Sequence, residues 1–81
     1  MIKKDKYKII ASYSISNTIA VVILGIDYSI DDYVITGISN ENDEIICIGR
    51  NKIRNENNTD RQYFNKQGNK YYLDEFIRVS K

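Results

Sequence analysis

The longest apolar run in the chain is Thr18–Ile26, T-I-A-V-V-I-L-G-I, and it is apolar on both faces of an extended chain. Ile19, Val21 and Ile23 fall on one side; Ala20, Val22, Leu24 and Ile26 fall on the other. β-Branched side chains suit a pleated surface, so the run predicts a central strand covered on both faces. Upstream, residues 6–15 alternate. Tyr7, Ile9, Ala11, Tyr13 and Ile15 share one face, while Lys6, Lys8, Ser12 and Ser14 share the other, with Ile10 the exception. That period predicts a strand with one wet face. The short polar link Ser14–Asn17 requires antiparallel pairing with the central strand, because a parallel crossover needs far more chain.

Further on, Tyr33–Ile38 and Glu44–Gly49 flank a five-residue polar cluster and predict a hairpin. Asp27–Asp32 reads as a bend leaving the sheet, since Asp and Ser side chains compete for nearby backbone donors. Arg50–Arg61 carries one large apolar residue, Ile53, and predicts a long mobile loop pinned at that point. Gln62–Phe64 and Lys70–Leu73 predict a second hairpin around Gly68, where a positive φ is sterically cheap. Leu73, Phe76 and Ile77 have the spacing of a helical turn, and an edge strand ending at Val79 fits equally well. The expected fold is mainly β: five or six strands in a small, strongly curved antiparallel sheet or partly closed barrel, with room for one short helical turn.

Composition narrows the class. Eighty-one residues make a single small domain, and 42% hydrophobic content is enough to fold it. One cysteine, Cys47, excludes an internal disulfide framework. Its place in the apolar run Ile45–Ile48 predicts a buried structural thiol, and the pattern suits the reducing cytoplasm. The basic N-terminus leads into no signal-like apolar segment. Thr18–Ile26 has about half the roughly 20 residues that a membrane-spanning helix requires. No membrane partner is expected.

The chemistry is sparse. There is no histidine, the four glycines are dispersed, and Asp27, Asp31 and Asp32 lack the glycine and glutamate of a calcium loop. No cofactor or metal is expected, and a small hydrolase or metal-binding domain is the weakest reading. Charge is more informative. The net charge is only +1, yet Asp27–Glu44 carries six acids and no base, while Ile45–Lys81 carries eight bases and four acids. The leading expectation is therefore a non-enzymatic accessory protein that docks to another protein. Its acidic face would use Asp27, Asp31, Asp32, Tyr33, Glu41, Asp43 and Glu44. The alternative is single-stranded nucleic-acid binding. There Arg50, Lys52, Arg54, Arg61, Lys66 and Lys70 would follow phosphates, and aromatic residues, chiefly Tyr71 and Tyr72, would stack on bases. An open sheet edge also makes a two-fold homodimer an option.

Overall fold

The computed structural model describes residues 8–27 and 32–79. The protein is mainly β, with two antiparallel sheets and one 3-10 turn. The strands are β1 Ala11–Ser14, β2 Ala20–Asp27, β3 Tyr33–Ser39, β4 Ile45–Lys52, β5 Arg54–Asn55, β6 Gln62–Lys66, β7 Asn69–Tyr72 and β8 Ile77–Arg78. The larger sheet has the order β4-β3-β2-β1-β8 and the smaller β5-β6-β7. Among the described residues, neither sheet closes into a barrel. Among the described residues, no helix is long and apolar enough to cross a membrane.

The predicted central strand is present but starts later, at Ala20, because Thr18 and Ile19 belong to the turn before it. The Ser16 hydroxyl accepts the backbone N–H groups of Thr18 and Ile19, at 3.3 and 3.2 Å, and tightens that turn. β2 pairs with β1 on one side and β3 on the other, both antiparallel. Burial on both faces holds only for Val21, Val22 and Ile23; Ile19 and Ile26 are exposed. Residues 1–7 and 28–31 lie outside the described part, and with them the start of the first predicted strand and most of the Asp27–Asp32 bend.

The smaller sheet covers one face of the larger. Phe64, with no exposed surface, packs with Val21, Ile23, Val34 and Ile53, and Ala11, Tyr71, Leu73 and Phe76 close around them. Tyr13 of β1 meets Tyr71 and Phe76 with ring centroids 5.8 and 5.6 Å apart, and Phe64 meets the same two rings at 5.7 and 5.8 Å. These are favourable aromatic separations, and they bind the two sheets together. A polar clasp adds to them at one side. The Thr36 hydroxyl donates to Asn51 Oδ1 at 2.7 Å, and Asn51 Nδ2 donates to the Asn65 carbonyl at 2.8 Å.

On the opposite face of the larger sheet, Gly37 lies beside Val22. A Cβ at 37 would stand 2.7 Å from Ile45 Cγ2 and 3.4 Å from Ile48 Cγ1. The missing side chain lets both isoleucines lean across the sheet, which fits the burial of Val22 to 1% exposure.

Two expectations are corrected. Arg50–Arg61 is not a loose loop. β4 continues through Lys52, Ile53 is buried, and β5 pairs with β6. Its remaining turn is fixed by polar side chains: Thr59 Oγ1 donates to the Glu56 carbonyl at 3.0 Å and accepts the Arg61 N–H at 3.1 Å. Cys47 is exposed rather than buried. It has φ 56° where β4 slips register against Gly37, and this edge-strand bulge turns its side chain outward. The Leu73–Ile77 segment resolves into both of its readings, a 3-10 turn at Leu73–Glu75 followed by β8.

The two predicted hairpins are present. Asp43, at φ 63°, takes the left-handed position in the β3–β4 loop that a glycine would otherwise fill. Gln67 and Gly68, at φ 53° and 81°, make the two-residue β6–β7 turn. Phe64→Ala is expected to lower unfolding free energy by about 3–5 kcal/mol. For a domain of this size that is a large part of a total of about 4–12 kcal/mol. Urea denaturation followed by circular dichroism measures it, and a loss under about 1 kcal/mol would show that Phe64 does not join the sheets.

Candidate functional site

The basic and aromatic residues of the second half largely satisfy one another. Arg61 donates to Asp74 at 2.8 Å and to Glu75 at 2.9 Å, and its guanidinium lies 3.7 Å from the centre of the Tyr72 ring. Tyr72 donates its hydroxyl to the Glu56 carboxylate at 2.7 Å, and Lys70 reaches the same oxygen at 3.3 Å while sitting 4.4 Å above Tyr63. The Tyr72 hydroxyl, and then Lys70, hold the Glu56 carboxyl below its usual range. The bond from Tyr72 to Glu56 raises Tyr72, and the separate bond from Lys70 to Glu56 raises Lys70. This is a closed ladder of rings, cations and carboxylates on the outer side of β6 and β7.

Lys66, a residue of the predicted phosphate-contacting set, is only 8% exposed. Its ammonium donates to the Cys47 carbonyl at 2.6 Å, between β6 and β4. Tyr71 packs in the core beside Phe64. Arg50 lies over Tyr33 at 4.4 Å, and Arg54 is exposed on the short β5. Lys52 ends β4 opposite Tyr33. The eight residues therefore do not form one open basic surface.

The acidic set is also divided. Asp27 and Tyr33 pair across the end of β2 and β3, with Asp32 just before them. Glu41, Asp43 and Glu44 lie beyond Ser39, at the other end of β3. Six strand steps separate the two groups by about 20 Å. Asp31 lies outside the described residues. Among the described residues, no three Asp, Glu or Cys side chains converge as metal ligands.

Glu41, Asp43 and Glu44 gain a context that linear reading missed. The β1–β2 and β3–β4 turns come side by side at one end of the larger sheet because β1, β2 and β3 are joined antiparallel. Between them runs an open groove of about 270 Å³. Ser14, Ser16 and Thr18 line one wall, and Ser39, Glu41 and Asp43 line the other. The loop geometry is held by Asn40, whose Oδ1 accepts the backbone N–H groups of Asn42 and Glu44 at 2.9 and 3.0 Å. Its Nδ2 donates to Glu44 Oε1 at 3.2 Å. Among the described residues, no cation pairs with Glu41 or Asp43, and residues 14–20 and 39–45 contain no Lys or Arg.

Apolar surface adjoins this groove. Ile19 lines it, and Ile15 and Ile46 are 51% and 44% exposed. Ile46 stands opposite Ile38, in the cross-strand row that continues through Val21 to Tyr13. The serine-rich Ser12–Ser16 stretch and the isoleucines flanking each turn were visible in the chain. Only strand pairing shows that they meet.

No family model, curated protein or solved structure matches this chain.

The Glu56 geometry has a direct consequence for pH dependence. Its folded pKa is depressed, so its contribution to stability is present above the unfolded carboxylate pKa of about 4.3 and is lost as pH falls through the folded value. Relative to Glu56→Gln, the wild type is expected to be more stable near neutrality, with the difference narrowing below about pH 4. Urea midpoints across pH 2–7 would test this, and a difference that stays constant or widens in acid would contradict it.

Proposed function

We propose that this is a non-enzymatic interaction protein that docks to a basic protein surface through the end of its larger sheet. The observation that carries the reading is the juxtaposition there of three carboxylates, a polar groove and exposed isoleucines, on two turns that contain no base. An interface of this kind needs apolar anchors for affinity and charged groups for orientation. Ile15, Ile19 and Ile46 supply the first. Glu41 and Asp43 supply the second, and both line the open groove between the two turns.

Asp27, Asp32 and Tyr33 lie at the far end of β3 and belong to a separate surface in this reading. Nucleic-acid binding has less support, because Arg61 and Lys70 are neutralised by neighbouring carboxylates and Lys66 is buried. Salt-dependent phosphate binding draws on several unpaired cations. Self-association through β4 also meets resistance. Its edge is bent by the Cys47 bulge, and the Cys47 carbonyl already accepts from Lys66. Both features blunt an edge against pairing.

The test is capture from a native extract with tagged protein, with and without nuclease, followed by binding of the purified components. A protein partner that survives nuclease is expected. Paired Glu41→Lys and Asp43→Lys substitutions should slow its association on the order of tenfold without changing the circular dichroism spectrum. Recovery dominated by DNA or RNA, or a partner indifferent to both reversals and to Ile46→Ser, would overturn the proposal.

A further inference from the structure

A second concave feature lies at the other end of the molecule, away from the two turns. It is a half-open hollow of about 170 Å³ between β1 and β2 on one side and the 3-10 turn on the other. Ala11, Ile23 and Ile26 form its sheet wall, and Leu73 and Phe76 its opposite wall. Ile10 and Ile26, which line it, remain 40% and 41% exposed. Among the described residues that line it, Arg78 is the polar one. Strand register explains its place. Arg78 stands opposite Ala11, and Ala11 opposite Ile23, so all three project from the same face of the sheet.

Arg78 contrasts with Arg61. Arg61 is held by two carboxylates and a ring, whereas Arg78 has no ion pair or side-chain hydrogen bond among the described residues. A guanidinium presents parallel donors that match a carboxylate, and it is charged at every accessible pH. Size limits what can accompany that carboxylate. An apolar cavity of about 150 Å³ holds one benzene molecule, so this hollow suits a single ring or a short aliphatic chain.

We propose that the hollow is a binding site for a small apolar carboxylate, with the ring or chain against Ile23, Leu73 and Phe76 and the carboxylate on Arg78. The site is independent of the protein-docking surface, so either assignment can fail without the other. Benzoate is the probe and benzyl alcohol its neutral counterpart, each titrated into the full chain and followed by amide chemical shifts. Benzoate should give saturable shifts at Ala11, Ile23 and Phe76, with benzyl alcohol at least about tenfold weaker because it lacks the charge-assisted bond. Arg78→Gln, a substitution at an exposed position, should weaken benzoate by a similar factor and leave benzyl alcohol unchanged. Ala11→Leu, which fills the hollow, should remove both. Equal binding of the two probes, an unchanged benzoate affinity in Arg78→Gln, or shifts confined to other surfaces would overturn the assignment.

Discussion

The structure depends on the burial of Phe64 between its two sheets. The three-stranded sheet ends in β5, a strand of only two exposed residues, so its own pairing is marginal. Packed against Val21, Ile23 and Val34, it becomes the lid of the larger sheet. The larger sheet gains a dry face in return. Ile53 matters for the same reason. It places the chain leaving β4 under the smaller sheet, and its N–H donates to the Asp32 carbonyl at 2.8 Å, tying the start of β3 to the same junction.

That packing also determines which surfaces are left open. The lid covers the part of the larger sheet nearest Phe64 and stops short of the β1–β2 and β3–β4 turns. The acids and isoleucines of those turns remain accessible as a consequence. On the outer side of the smaller sheet, by contrast, Glu56, Arg61, Lys70, Asp74 and Glu75 are drawn into a ladder with Tyr63 and Tyr72. Basic residues there act mainly as structure: Arg61 ties the 3-10 turn to the strand beside it, and Lys66 closes the gap between β6 and β4. A nearly neutral chain can therefore present one acidic end without presenting a matching basic face.

Much of this fold was legible in the sequence, because period-2 alternation marked β1, the β-branched run marked β2, and polar clusters marked both hairpins. What was not legible has specific physical causes. Asn55–Arg61 lacks apolar residues, and its order comes from Thr59 and Asn55 side chains bonding local backbone, which hydropathy does not register. Cys47 sits in an apolar run, but a bulge with positive φ overrides the pattern and exposes it. Lys66 looks like a surface cation but lies buried between β6 and β4, where its ammonium donates to the Cys47 carbonyl. The acids of Asp27–Glu44 share one stretch of sequence without a base, yet β3 holds the described ones apart at its two ends. Long-range pairing alone brings Ser14–Thr18 beside Glu41 and Asp43, so the candidate site could be read only in halves.

The dependence of both sheets on one interface is tested most directly by native-state amide hydrogen exchange under increasing urea. The amides of β2 at Val21–Ile23 and of β6 at Phe64 should converge on the same opening free energy, as members of one cooperative unit. If the β6 and β7 amides exchange through a separate, lower-energy opening while β2 stays protected, the smaller sheet is an appendage and the central role assigned to Phe64 is wrong.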